Sequence, residues 1–171
     1  MFKGIAIHKR IEHLEQQAIF TDKRISKAEE QLDYFIERAL PRQSGIFFDG
    51  EVFDAYAFII DLVKSATKRI ILIDNYVDES VLTILTQRAN KVKATIYTEK
   101  IENTFQLALK KHDVQYPKIE VKVVQNFHDR FLIIDEQIYH VGASIKDLWK
   151  KVFAFSKLGL EAEIILEKLP K

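Results

Sequence analysis

F-H-D-R-F-L-I-I-D-E-Q-I-Y-H-V-G-A-S-I-K-D, residues 127–147, is the stretch on which the reading of this chain turns. It reads as two short apolar strands, Phe131–Ile134 and Ile138–Val141, joined by a hairpin that begins at Asp135. Side chains alternate faces along a strand. Extending the first strand backwards therefore puts His128 and Arg130 on one face, with Leu132 and Ile134 further along it. Four consecutive apolar residues imply that this strand is buried and holds the pair rigidly. Arginine offers a planar fork of donors suited to phosphate oxygens and keeps its charge. A neutral imidazole serves as nucleophile or base near neutral pH. The pair thus points to an anionic ligand. Past the hairpin, Gly142, Ala143 and Ser144 are small enough to allow close backbone approach.

Upstream, strand and helix patterns alternate. Gly45–Asp49, Arg69–Asp74, Val92–Tyr97 and Ile119–Val124 read as strands; Phe53–Thr67, Glu79–Ala89 and Asn103–His112 have helical spacing. Lys146–Phe155 reads as turn or helix, and Glu161–Leu166 is ambiguous between strand and helix. Repeated β–α–β units with near-continuous apolar strands imply an α/β domain with a mixed, mainly parallel sheet flanked by helices. In such a sheet ligands bind beyond the carboxyl ends of the parallel strands. Asp74, Asn75 and Tyr76 follow one such strand, and Thr98 and Glu99 another. The first cluster is a candidate site lining; it equally suits a turn that caps the following helix.

Residues 1–40 carry a heptad pattern. The seam runs Ile7, Ile11, Leu14, Ala18, Thr21, Ile25, Ala28, Leu32, Phe35, Ala39, with charged residues on the flanks. Pro41 ends it, and Gln43-Ser44-Gly45 reads as a hinge. The domains expected are a long coiled-coil-like oligomerisation helix over 1–42 and the α/β domain over 45–171. Such a helix extends roughly 50–60 Å, whereas a domain of about 130 residues is only about 30–40 Å across. Its apolar face therefore needs a second copy or another protein, unless it folds back on its own domain. The seam is weakest at Ala18, Thr21 and Ala28, where a bend or fraying is expected.

The 171 residues include 26 basic and 25 acidic side chains, so the chain is not a uniformly basic nucleic-acid coat. It has no cysteine, which removes disulfides, thiol catalysis and Cys-ligated metals. No zinc-type histidine spacing and no Gly-rich phosphate loop occurs, so neither a metal nor a cofactor is expected. No signal-peptide pattern and no apolar run long enough for a bilayer is seen, so the expectation is a cytoplasmic protein without membrane contact. His8 and His13 read as solvated. His112 reads as a cation at a helix C-terminus, and His140 as a structural residue or a helper of the site. Ile138–Lys157 holds four Lys and one Asp, interleaved with Trp149, Phe153 and Phe155. That is either a basic strip for a nucleic-acid backbone or core aromatics flanked by solvated lysines.

The run at 127–147 resembles the phospholipase D superfamily, whose motif is His-x-Lys, four residues, Asp, six residues, then Gly-Ser-x-x-Asn. His128, Arg130, Asp135 and Gly142 fall at matching positions, and the resemblance covers residues 45 to about 158. The stretches GIFFDG, ILIDNYVD, HDRFLIID and YHVGASIKDL also resemble the C-terminal domain of bacterial prophage-type proteins that carry a KilA-like N-terminal DNA-binding domain. No such domain precedes residue 45, so the chain is expected to be a fragment or a stand-alone copy. The resemblance implies a metal-independent phosphodiesterase with His128, Arg130 and Asp135 as the catalytic set. His128 would form a phosphohistidine, and a second histidine would protonate the leaving oxygen. Arg130, Gly142, Ser144 and Lys146 would hold the phosphoryl oxygens. The chain has a single motif where the family's active sites use two, which implies a homodimer. It departs from the pattern at Arg130 for Lys, Ala143 for Ser, Lys146 for Asn, and Trp149 where Gly is more usual. The expected function is therefore a homodimeric phosphodiesterase or nuclease, impaired or not. The alternatives are a non-catalytic dimerisation and phosphate- or nucleic-acid-binding module of a DNA-associated regulator, or a purely structural oligomerisation domain.

Overall fold

Ile70–Ile73 is an aliphatic run of isoleucine and leucine, and it lies in the strand that joins the parallel and antiparallel parts of the sheet. The structure, a computed structural model, describes residues 2–39, 43–148 and 152–170, with side chains described for 7–32 in the first of these segments. Backbone contacts divide the chain into two units, residues 1–42 and 43–171.

The first unit is one helix, α1 (Phe2–Ala39), unbroken through Ala18, Thr21 and Ala28, where a bend was the expectation. Its 38 residues extend about 57 Å. The seam residues Ile7, Ile11, Leu14, Ile25 and Leu32 are each about half exposed or more. Two further exposed apolar residues, Ile19 and Phe20, lie off the seam beside its weak stretch. There Arg24 sits over the Phe20 ring and the Thr21 hydroxyl donates back to the Gln17 carbonyl. His8 and His13 are exposed, as read, and His8 pairs with Glu12 one turn on. Pro41 and the seam side chains of Phe35 and Ala39 lie outside what is described.

The second unit holds β1 (Ser44–Phe47), α2 (Val52–Ser65), β2 (Arg69–Ile73), α3 (Glu79–Leu85), β3 (Lys93–Thr98) and α4 (Asn103–Gln115). Then come β4 (Ile119–Val123), β5 (Arg130–Ile134), β6 (Gln137–Val141), a 3₁₀ turn (Ile145–Asp147), β7 (Phe153–Leu158) and α5 (Glu163–Leu166). The strands form one sheet in the order β1-β7-β6-β5-β2-β3-β4.

The α/β class is as expected, but the sheet is not mainly parallel. β2–β3 and β3–β4 are parallel; β2–β5, β5–β6, β6–β7 and β1–β7 are antiparallel. Parallel neighbours need a long crossover, and helical crossovers are supplied only by α3 and α4. The reading of Lys146–Phe155 as turn or helix is likewise corrected. Its first part is the 3₁₀ turn, but Phe153 and Phe155 belong to β7 and are core residues. They face the same core as Phe47, so they are not aromatics of a nucleic-acid strip; Trp149, Lys150 and Lys151 lie outside the described residues. The expected hinge also dissolves. Ser44 and Gly45 open β1 against β7, and a Cβ on Gly45 would sit 2.9 Å from the Phe155 ring. The glycine is there for packing.

One face of the sheet is covered by α2, α3 and α4, which bury Ile59, Val63, Leu82 and Phe105 against Ile70, Leu72, Ile96 and Leu132. The other face carries a smaller core of Ile71, Ile73, Ile133 and Ile138 under Ala162, Ile165 and Leu169. That 3–4 spacing makes the ambiguous tail a helix. His112 lies in the last turn of α4, as read, but it is not the solvated end of the helix. α4 continues past it, and the ring is buried, bonded to Asp113 at 2.9 Å and stacked on Tyr116.

Candidate phosphate site

Asp74 follows the last residue of β2 and is fully buried. Its backbone N–H donates to the Tyr97 carbonyl, prolonging the β2–β3 ladder by one bond. Its carboxylate accepts from the Ser144 hydroxyl (2.8 Å), the Ile145 N–H (2.9 Å) and the Tyr76 N–H (3.0 Å). Burial raises its pKa above the ordinary carboxylate value, against those bonds and the nearby Arg130 charge. Asp74 thus ties the end of β2 to the turn that follows β6, 70 residues away in sequence.

Arg130 opens β5. Its Nε lies 3.7 Å from the Asp74 carboxylate, too far for a hydrogen bond, and has no other partner although it is buried. The guanidinium stands 5.8 Å from the centre of the Tyr76 ring. The side chain is 28% exposed. Arg130 is therefore oriented by charge and stacking, with its Nε unpaired among the described residues.

His128 is not on the strand. β5 begins at Arg130, so the expectation of a strand-held imidazole is corrected: the ring is exposed, in the loop that joins β4 to β5. Asn75 steadies that loop by donating its side-chain amide to the Phe127 carbonyl at 2.8 Å. Asn75 is thus more than a helix cap, and Asp78 does the capping of α3.

The remaining predicted residues divide. Asp135 lies at the far end of β5, five residues and about 17 Å from Arg130. Its carboxylate accepts backbone N–H bonds from Thr67, Lys68 and Arg69, plus the Thr67 hydroxyl. Burial alone would raise its pKa, but these bonds outweigh it and hold the group at about 2. Asp135, expected in the catalytic set, is a clasp between the β5–β6 turn and the start of β2. Ser144 is buried, its hydroxyl within 2.7–2.8 Å of both Asp74 and the Tyr76 carbonyl, so it is not a phosphate donor. Gly142 gives its N–H to the Ala154 carbonyl, and a Cβ there would come 2.9 Å from that same oxygen. It packs the site's floor on β7 and has no free donor. Lys146 remains available and half-buried, on the wall of a cavity of about 500 Å³ shared with Asn75, Tyr76, Glu99, Lys100 and Gln125.

His140 opposes Phe131 on β6 and packs against its ring. Arg130 is the neighbour of Phe131 in sequence, so His140 faces the other side of the sheet; it lies 3.7 Å from Asp129. It does not join the Arg130 cluster. Lys100 and Gln125 were missed by sequence reasoning. Both follow the ends of parallel strands, β3 and β4, and the rule that singled out Asp74 applies equally to them. Among the described residues no group of three or more His, Asp or Glu converges as a metal site.

No protein-family profile matches the chain, and no curated protein matches it. Solved structures do. NucT from Helicobacter pylori superposes with a TM-score of 0.51 at 16% identity, over 73% of this chain and 89% of that one. Phosphatidylserine synthase from Haemophilus influenzae Rd KW20 gives 0.51 at 14% identity, over 71% of this chain and 34% of that one. TrmBL2, an archaeal chromatin protein described with a novel mode of DNA binding, gives 0.48 at 14% identity. It matches over 95% of this chain, which spans 64%, less than two thirds, of that protein. The first two share this chain's fold, a phospholipase-D-like α/β fold. No helix among the described residues is long and apolar enough to cross a membrane.

Proposed function

We propose that the 43–171 unit is a phosphodiester site that works as a homodimer on nucleic acid, with Arg130 and Lys146 binding phosphoryl oxygens and His128 as the nucleophile. The observation that carries this reading is the state of Arg130: oriented by Asp74 and Tyr76, yet with its Nε unpaired among the described residues. Two residues away stands an exposed imidazole on a loop anchored by Asn75. A single copy supplies one such imidazole, so the site is completed by His128 of a second copy, and the exposed seam of α1 suits such pairing.

In the reaction, one His128 nitrogen attacks phosphorus and forms a P–N bond. The P–O bond to the leaving alcohol breaks, and the second imidazolium gives that oxygen its proton. Water, deprotonated by the same second ring, then attacks phosphorus and breaks the P–N bond. Arg130 and Lys146 balance charge that shifts on the phosphoryl oxygens. Asp135 has no part in these steps.

The test is hydrolysis of bis(p-nitrophenyl) phosphate and of labelled single-stranded DNA in EDTA. Wild type should turn over and sediment as a dimer; His128→Ala should stay dimeric and lose at least about a hundredfold in rate. Trapping of acid-labile phosphate on His128 would add direct support. One observation favours a second reading, phosphate binding without turnover. Neither Ala143 nor the internally bonded Ser144 offers a free hydroxyl where the resembled motif has its Ser. Salt-dependent DNA binding with no hydrolysis would establish that reading.

A further inference from the structure

Tyr76 belongs to two features at once. The Arg130 guanidinium stands over its ring, and the same residue lines the cavity of about 500 Å³ at the ends of β2, β3 and β4. Tyr76 is 55% exposed, so a ligand can reach it. The cavity is within the roughly 300–1,000 Å³ of small-molecule sites.

Its walls define the chemistry it takes. Val77 is the one aliphatic residue among those lining it, so it offers no channel for an acyl chain. Two lysines face three acids, Asp78, Glu99 and Glu102, and Lys100 is already 3.6 Å from Glu102. A second phosphate finds no net positive field there. What the walls do offer is neutral polarity and a π face. The Asn75 side-chain oxygen is buried with no hydrogen-bond partner, and Gln125 adds an exposed amide. An unsatisfied buried acceptor costs free energy unless a donor reaches it. A flat heterocycle with N–H donors and ring acceptors meets each of these features.

We propose that this cavity is a nucleobase subsite. A nucleotide whose phosphate lies on Arg130 stacks its base on Tyr76 and presents its edge to Asn75 and Gln125. The proposal rests on the phosphate site described above and sharpens its substrate to single-stranded nucleic acid, because only an unstacked base can enter. Lys146, on the same wall, serves that same phosphate together with Arg130.

Binding of the full chain to a short single-stranded DNA, and to an abasic strand of equal length with tetrahydrofuran residues, tests this by fluorescence anisotropy. Wild type should prefer the base-bearing strand by about ten- to a hundredfold, the scale of base–aromatic stacking. Tyr76→Ala should erase that preference, and Tyr76→Phe should restore it. If Tyr76→Ala fails to fold by circular dichroism, Tyr76→Leu, which keeps bulk without a π face, replaces it. Equal affinity of wild type for the two strands overturns the base subsite and leaves the phosphate site standing. A preference that survives Tyr76→Ala or Tyr76→Leu overturns stacking on this ring. Binding of neither strand overturns the subsite together with the phosphate site it rests on.

Discussion

The two ends of strand β5 are a natural pair. At one end Asp135 accepts from three backbone N–H groups and a hydroxyl. At the other, the Arg130 Nε has no hydrogen-bond partner among the described residues and is held at a distance of 3.7 Å from a buried carboxylate. Both residues match one sequence motif, yet one is saturated with partners and the other is not. A polar group whose bonds are all made inside the protein contributes stability; one that is oriented but left open is available for binding. Asp135 therefore serves the fold, and under the proposed function Arg130 serves the ligand.

Asp135→Ala is the sharpest way to break this contrast. It leaves three N–H groups without their acceptor and puts a β-carbon without side-chain compensation at φ 54°. Urea unfolding should show a loss of about 3 kcal/mol, with phosphate affinity of the remaining folded protein intact. A larger effect on affinity than on stability would return Asp135 to the site.

Gly142→Ala should cost about 1–3 kcal/mol, because the new methyl meets the Ala154 carbonyl oxygen, which is backbone and cannot swing aside. Thermal unfolding reads this directly. If stability is unchanged and phosphate affinity falls, Gly142 belongs to the ligand end after all.

Acid separates the two carboxylates by sign. The Asp135 pKa of about 2 lies below its unfolded value of about 3.9. Its stabilisation is therefore full above pH 4 and lost as pH falls from about 4 towards 2. Asp74 is shifted upwards, so its ionisation costs stability as pH rises from its unfolded value through its folded one. Asp135→Asn should flatten the acid limb of a stability–pH curve measured by urea titration. A limb that persists unchanged in that variant assigns it to other groups.

Arg130→Ala should move stability least, by about 1 kcal/mol: no hydrogen bond to the described residues is lost, but the buried Asp74 loses the cation 3.7 Å away. Affinity for a phosphodiester should fall about tenfold or more. Stability loss comparable to Asp135→Ala would mean that the two ends of β5 are not different in kind.

Much of this was legible beforehand. Apolar runs such as Ile70–Ile73 and Leu132–Ile134 announced buried strands, because period and burial are written locally. The cluster Asp74-Asn75-Tyr76 was placed at the carboxyl end of β2 by the apolar run before it. Ser144 was misread because its partner, Asp74, lies 70 residues away, and no spacing rule reports such a pairing. β7 was missed for a related reason. Phe153-Ala-Phe-Ser-Lys-Leu158 alternates well, but its value as a strand depends on β1 and β6 on either side.

The amino-acid sequence by itself determined the elements: a long heptad-patterned helix, a set of buried strands, and a basic pair beside a hairpin. Each follows from the order of apolar and polar residues over a few neighbours. Only the tertiary structure decided that most strands pair antiparallel, that Asp135 is spent on backbone amides, and that the Arg130 guanidinium stands over the ring of Tyr76. Those outcomes depend on which distant groups satisfy one another's hydrogen bonds and charges, and that matching exists only once the chain has closed on itself.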